Sequence, residues 1–483
     1  MNILFATPEC AGLVKTGGLG DVSAALPAAL RRIGFDTRVL LPGYRNVRTA
    51  CASGETVAEL EPFAGFPSAR IVAAVEAPGT TTWMLDCPEY FDRDAGPYLD
   101  DRGLAYCDNA QRFGFLSYAA ARIACGAIPG WNPDVLHCHD WQTALAPLYL
   151  REILGATTPC VQTIHNLAFQ GLFPRAVLEP LGVPDSSFTI EGLEFYGQVS
   201  FLKAGLVYAD ALTTVSPTYA REIQHEALGF GLHGLLARRR DALTGILNGI
   251  DDRVWDPATD PHLEQCYGAQ TLELKVVNKV VLRRSLGLEQ APAKALIGVV
   301  SRLTQQKGID LLVEAAPRLL EHPVQLAVLG DGEPEFAHAL AALAEAHPGR
   351  VAVRAGFNER LAHRIEAGAD LLLMPSRFEP CGLNQMYSQR YGTPPVVRRT
   401  GGLADTVTDC TPDALERGEA SGFVFQEASA AALLATLERA LQMYRDRPRW
   451  YKLQRNGMRR DFSWAASARR YAEIYERLGR ARR

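Results

Sequence analysis

No apolar run in this 483-residue chain approaches the eighteen or so residues that a membrane span needs. Nor is positive charge in surplus: Lys and Arg total 50 against 54 Asp and Glu, a formal net charge of −4. Neither a membrane nor a nucleic acid is therefore expected as a partner, and an anionic ligand must be held by a few placed cations. The ten cysteines, scattered from Cys10 to Cys410, show no CxxC spacing. In a chain this long they read as reduced thiols, with no disulfide framework. The start is equally bare: Met1-Asn2 runs straight into Ile3-Leu4-Phe5-Ala6, without a basic leader or a long apolar stretch. A soluble, cytoplasmic protein is expected.

What is present is ordinary bulk in an alternating pattern. Hydrophobic residues make up 47% and charged residues 22%, enough for full cores, and the length suggests more than one domain. Apolar strand candidates at 3–6, 37–41, 135–139, 161–165 and 211–215 alternate with helical stretches such as 23–32 and 109–123. Ser216-Pro217 reads as an N-cap followed by Pro at the first helical position. Such alternation predicts a parallel sheet flanked by helices. The pattern restarts after the turn Asn248-Gly249. A polar stretch to about residue 290 has no clear strand, and strands are then expected at 295–300, 325–329, 351–353, 371–374 and 395–397. The expected class is α/β, with two doubly wound Rossmann-like domains facing each other across a cleft. They would span 1–245 and 246–460, with a helix in 461–483 packing back toward the N-terminal domain. Open sheets of this kind bind ligands beyond the carboxyl ends of their strands.

One heptapeptide occurs almost twice: Thr16-Gly17-Gly18-Leu19-Gly20-Asp21-Val22 is echoed by Thr400-Gly401-Gly402-Leu403-Ala404-Asp405-Thr406. Each copy is expected to follow a strand and open a helix, where glycines admit close approach of a ligand and free N–H groups favour an anion. A plain tight turn explains either copy alone; two copies, the first beside Lys15, point to ligand contact. Neither matches the P-loop or the dinucleotide fingerprint, which argues against an ATPase or a dehydrogenase.

The segment Ser301-Arg302-Leu303-Thr304-Gln305-Gln306-Lys307-Gly308 directly follows a predicted strand. Its Arg302 and Lys307 can converge on a diphosphate, one as a planar fork and the other as a point charge. Glu379 lies between Phe378 and Pro380 after another strand, where a solvated charge is a poor explanation. In the first half, His137-Cys138-His139-Asp140-Trp141 and Thr163-Ile164-His165-Asn166 both end strands. His137 and His139 share one strand face with Cys138 on the other, so the three do not converge on a metal. Asp92-Arg93-Asp94 fits the DxD metal pattern but falls in a Tyr/Pro/Gly-rich loop and reads as structural. No metal and no cofactor are expected.

These segments occur in an order, from Lys15 to beyond residue 400, that resembles bacterial glycogen synthases and plant starch synthases, glycosyltransferases of the two-domain GT-B fold. The matching pieces also include Asn248-Gly249-Ile250-Asp251 and His165 to Gly171. The resemblance implies transfer of glucose from ADP-glucose to an α-1,4-glucan such as glycogen. It implies that Arg302 and Lys307 hold the diphosphate and that Lys15 and Gly18 close on the donor from the first domain. Glu379 would face the glucose, with backbone amides near Cys381, Gly382 and Leu383 around it and Thr400-Gly401 beside the phosphates. His165 would reach the sugar, with Asp140, Asn166 and Asn248 nearby. Phe357 stands where family members often carry Tyr near the nucleobase, and Tyr387 stands where broader GT-B enzymes often carry a second Glu.

Transfer from an α-linked donor to an α-glucan retains configuration, and the route, covalent or by attack from the leaving-group face, stays open. Rival readings are a GT-B glucosyltransferase that uses UDP-glucose or a small acceptor, and a glucan-binding scaffold without catalysis. An activity assay separates the enzyme from the scaffold, and Lys15→Ala tests the role given to that lysine. Loss of one charge-assisted bond to a phosphate should lower catalytic efficiency by roughly ten- to a hundredfold with an unchanged melting temperature. Wild-type efficiency in steady-state assays would place Lys15 outside the site.

Overall fold

The computed structural model describes residues 1–74 and 81–481, which form two compact units. Unit 1 comprises Met1–Gly249 and the segment that begins at Trp464; unit 2 is Ile250–Ser463. The chain therefore crosses at 249/250 and again at 463/464, a few residues beyond the boundaries read from sequence.

Unit 1 is built on β1 (Asn2–Ala6), β2 (Asp36–Pro42), β3 (Glu55–Leu60), β4 (Ala69–Ala73), β5 (Thr81–Asp86), β6 (Val135–His139) and β7 (Cys160–Ile164). Further along come β8 (Leu172–Pro174), β9 (Glu194–Phe195), β10 (Gln198–Ser200), β11 (Ala211–Thr214) and β12 (Leu243–Gly245). Strands β8, β10 and β9 make a small antiparallel sheet; the other nine run in the order β12-β11-β7-β6-β1-β2-β5-β4-β3. The sheet is parallel from β12 to β5, but β4 and β3 add an antiparallel edge. That edge adds to the parallel sheet expected from the sequence. It escaped sequence reading because Glu55, Glu59 and Arg70 face solvent and interrupt the apolar pattern, a common way of blunting an exposed edge.

One face of this sheet is covered by helix Gly18–Arg32 together with helix Trp464–Ala481. Val22, Leu26 and Leu30 from the first, and Tyr471, Ile474 and Tyr475 from the second, share a core with Ile3 and Phe5 of β1. The interior strands β6, β7 and β11 are buried yet polar. His137 Nε2 meets Thr163 Oγ1 at 2.6 Å, and that hydroxyl meets Thr213 Oγ1 at 2.5 Å. Tyr475 OH closes the row at 2.7 Å from His137 Nδ1. Burial of these groups is tolerated because each one has a partner.

Unit 2 is a six-stranded, wholly parallel sheet of β13 (Ala295–Val300), β14 (Val324–Gly330), β15 (Val351–Ala355), β16 (Leu371–Met374), β17 (Pro395–Arg398) and β18 (Phe423–Phe425). Its order is β15-β14-β13-β16-β17-β18. The polar stretch before residue 290 holds a helix, Lys275–Leu286, whose buried face carries Lys275, Asn278, Lys279 and Arg283 beside Leu282 and Leu286. The helical period is present but written largely in cations, so apolar periodicity does not report it. Each cation is matched. Lys279 meets Asp370 at 2.5 Å, Arg283 donates to Gln325 at 2.7 Å, and Lys275 donates to the Ala367 carbonyl at 2.7 Å and the Thr393 hydroxyl at 2.6 Å. Among the described residues no helix is long and apolar enough to cross a membrane.

Candidate functional site

The residues singled out in unit 2 follow the carboxyl ends of its strands: Arg302 and Lys307 after β13, Phe357 after β15, Glu379 to Leu383 after β16, and Thr400-Gly401 after β17. Three of these loops are tied together. Arg377 N donates to the Gln306 carbonyl at 2.8 Å, and Arg398 Nε donates to the Ser376 carbonyl at 2.9 Å. Gly402 N shares its proton between the carbonyls of Glu379 and Pro380, at 3.1 and 3.2 Å. At the centre the buried Glu379 carboxylate accepts from Lys307 Nζ at 2.6 and 2.9 Å and from Ser376 Oγ at 2.9 Å. Lys307 has three donors, so an N–H remains for an anion arriving at the sheet edge. Arg302 is exposed and bonded only weakly to Gln306, at 3.3 Å.

The second glycine pair has a use that the sequence reading did not assign. A Cβ on Gly401, whose φ is +43°, would lie 1.9 Å from the Glu379 carbonyl oxygen. One on Gly402 would lie 2.1 Å from that of Cys381. These glycines admit the protein's own loop, and the helix that they open, Gly401–Thr406, is only six residues long, so its dipole is weak. Cys381 is buried, Gly382 has φ +73°, and Leu383 caps helix Asn384–Arg390. Phe357 stands apart, beyond the edge strand β15 and 82% exposed. Tyr387 is committed elsewhere: its ring stacks on Trp255 at 3.7 Å, and Trp255 stacks on His363 at 3.8 Å.

In unit 1 the first heptapeptide behaves differently. Residues 7–17 separate β1 from the helix that starts at Gly18, and a Cβ on Gly17 would meet nothing within 4 Å. The loop is pinned by Glu9, which sequence reasoning missed. This buried carboxylate accepts from Thr16 N at 2.6 Å, Thr16 Oγ1 at 2.5 Å, Gly17 N at 3.1 Å and Tyr98 OH at 2.5 Å. A signal existed: Pro8-Glu9 follows a strand much as Glu379-Pro380 does. Lys15 is held by Asp21, another omission, at 2.7 Å with both side chains partly exposed.

Asp140 and His165 end the neighbouring strands β6 and β7. Asp140 adopts φ +52°, a strained conformation for a non-glycine residue, and accepts from His165 N at 2.7 Å and Asn166 N at 3.4 Å. Burial, assisted by the nearby Glu9 charge, still pushes its carboxyl up to about 7. Burial pushes the His165 imidazole down to about 3, and its Nε2 lies 2.9 Å from His139 Nδ1. Asn166, half-buried, accepts from Ala168 N two residues on at 3.1 Å. Asn248 follows the edge strand β12; it is buried, and no group among the described residues meets its Oδ1. The DxD carboxylates are taken up by arginines: Asp92 meets Arg45 at 2.8 Å and Arg48 at 3.3 Å, and Asp94 also meets Arg45. Among the described residues no three His, Cys, Asp or Glu side chains gather as a metal site.

Comparison with known proteins places this geometry in context. The starch synthase catalytic domain model matches residues 2–238, and the glycosyl transferases group 1 model matches residues 287–457. The chain is 56% identical to the glycogen synthase of Aromatoleum aromaticum, covering 98% of this chain and 96% of that one. It is 52% identical to the glycogen synthase of Nitrosospira multiformis, covering 98% and 97%. The catalytic domain of starch synthase IV from Arabidopsis thaliana, solved with ADP and acarbose bound, superposes with a TM-score of 0.86 at 33% identity, over 99% of this chain and 98% of that one. The sucrose-phosphate synthase of Thermosynechococcus elongatus shares the fold, with a TM-score of 0.61 at 18% identity over 99% of both chains.

The two glycine pairs should respond oppositely to alanine. Gly401→Ala combines a positive φ with a clash on a backbone oxygen and should cost about 2–4 kcal/mol in urea unfolding. Gly17→Ala, with open space and φ −157°, should stay within about 0.5 kcal/mol of the parent. Equal stability of the two variants would refute the packing role assigned to Gly401.

Proposed function

Because the chain belongs to the glycogen synthase family of glucosyltransferases, we propose that it transfers glucose from ADP-glucose, with retention, to the non-reducing end of an α-1,4-glucan. The observation that carries this reading is the buried Glu379 carboxylate, bound by Lys307 at the carboxyl edge of a parallel sheet with Arg302 exposed beside it. As the bond from C1 to the leaving oxygen breaks, charge grows on the diphosphate. Arg302 and the spare donor of Lys307 stabilise it there, and preorganised cations act most strongly when they need no rearrangement. Glu379, fixed by Lys307 and Ser376, faces the positive character that develops on the glucose. Lys15 and Gly18 are assigned to the donor on the family resemblance; Lys15 would exchange its partly exposed partner Asp21 for phosphate, and the open face of Gly17 leaves room beside it. His165 contacts the sugar, while Asp140 and Asn166 shape the turn that presents it.

The ADP in the Arabidopsis structure supports an adenine nucleotide as the donor here. The exposed Phe357 ring offers the base a stacking face, without the hydroxyl of a tyrosine. The backbone from Cys381 to Leu383, on the loop that carries Glu379, and Thr400-Gly401 after β17 are assigned to the donor sugar and phosphates on the family resemblance. Likeness to sucrose-phosphate synthase, at 18% identity, gives no preference for a small acceptor.

The purified protein, fed glycogen and either ADP-glucose or UDP-glucose, should release ADP at least tenfold faster than UDP. Faster UDP release would overturn the donor assignment. Glu379→Gln keeps size and one acceptor but removes charge, and should lower kcat about 10²–10³-fold. ADP affinity by calorimetry should hold or tighten, because Lys307 loses its counter-charge. Weaker ADP binding with near-normal kcat would instead make Glu379 an organiser of the loop.

A further inference from the structure

His139 lies behind His165, and its two ring nitrogens have unequal surroundings. Nδ1 is 2.9 Å from His165 Nε2. Nε2 is buried, and no group among the described residues meets it. The ring is fully enclosed, stacked on Phe5 with centroids 3.9 Å apart and planes at 30°, so its edge does not point into that aromatic face. Its backbone is clamped at the end of β6: His139 N donates to Thr143 Oγ1 at 2.6 Å, and that hydroxyl donates to the His139 carbonyl at 3.0 Å. His137 packs alongside with both of its nitrogens occupied, one by Tyr475 OH and the other by Thr163 Oγ1.

Burial drives both His139 and His165 well below the usual imidazole range, so at neutral pH each ring carries one proton. A bond between two nitrogens then needs one N–H and one bare lone pair, which leaves two arrangements. If His165 donated, His139 would hold its own proton on Nε2, an N–H sealed in the core without an acceptor. If His139 donates from Nδ1, only a lone pair is left unmatched. Orphaned buried N–H groups are the rarer and costlier of the two.

We propose that His139 is a positioning residue: it donates Nδ1–H to His165 Nε2 and so fixes His165 as the tautomer that carries its proton on Nδ1. No described protein group bonds to His165 Nδ1, so this N–H is available to a sugar hydroxyl oxygen. The hydroxyl must then accept there and direct its own proton elsewhere. The consequence for catalysis rests on the reading of His165 as a sugar contact; the tautomer itself does not.

Long-range proton–nitrogen spectra of the full-length protein, labelled with 15N-histidine, test the tautomer without an assay. His165 is identified by the signal lost in His165→Gln. A protonated Nδ1 and an unprotonated Nε2 are expected; a proton on His165 Nε2 overturns the proposal. His139→Asn keeps an N–H near the position of Nδ1 and should preserve the His165 signature and most of kcat. His139→Leu should release the tautomer and lower kcat about tenfold relative to His139→Asn. A packing role alone predicts no tautomer change in either variant, with parallel losses of activity and stability, and that result would also overturn the proposal. If His165→Gln turns over normally while the wild-type spectrum shows Nδ1–H, the sugar contact falls and the tautomer stands.

Discussion

Lys307 and Glu379 meet at 2.6 Å with the carboxylate almost wholly shielded from water, and the carboxyl edge of unit 2 is organised around that pair. A buried carboxylate is costly unless its charge and lone pairs are matched, and stripping one partner from such a pair costs about 3–5 kcal/mol. The match is made across the chain: the cation comes from the loop after β13, the acid from the loop after β16. The pair therefore fixes the distance between two strand ends. The loop after β17 presses its glycines against the backbone carbonyls of Glu379 and Cys381, so position is set by charge from one side and by van der Waals contact from the other.

Unit 1 meets the same difficulty with different chemistry. Glu9 is satisfied by four neutral N–H and O–H donors rather than by a cation, which leaves Lys15 outside, bound to Asp21 on a partly exposed surface. A surface pair of that kind contributes little to stability and exchanges readily for another anion. Asp140 has only two backbone donors and no cation, and its carboxyl rises to about 7. Three strand-end carboxylates thus carry three degrees of compensation, ordered by how many donors the fold directs at each.

Much of the architecture was legible in the sequence, for reasons particular residues make plain. Ala295–Val300 and Leu371–Met374 are short apolar runs ended by polar residues, and the structure has strands at those positions. The β3–β4 edge was illegible because Glu55, Glu59 and Arg70 leave it without the continuous apolar run by which the interior strands were found. Helix Lys275–Leu286 was illegible because its buried face carries lysines and an arginine whose partners lie far away in sequence. The strand-end loops were found from Arg302, Lys307 and Glu379, but their internal pairing was not. That pairing depends on a register of 72 residues between Lys307 and Glu379, which no local pattern encodes. The repeated Gly-Gly was read as one device used twice; three-dimensional contact separates a packed copy from an open one. Glu9 was passed over because two of its four donors are backbone groups, invisible to side-chain spacing, and a third, Tyr98, lies 89 residues away.

The helix that begins at Trp464 has a consequence for how the chain is made. Unit 2 is one continuous stretch of polypeptide, whereas unit 1 opens with β1 and recovers a wall of its core only after unit 2 has been completed. During synthesis the helix Gly18–Arg32 must wait, with Val22, Leu26 and Leu30 lacking Tyr471 and Ile474 to cover them, while more than four hundred residues emerge. His137 waits as long for the hydroxyl of Tyr475. The first domain begun is therefore the last finished, and a ribosome that stalls late leaves its damage at the beginning of the protein.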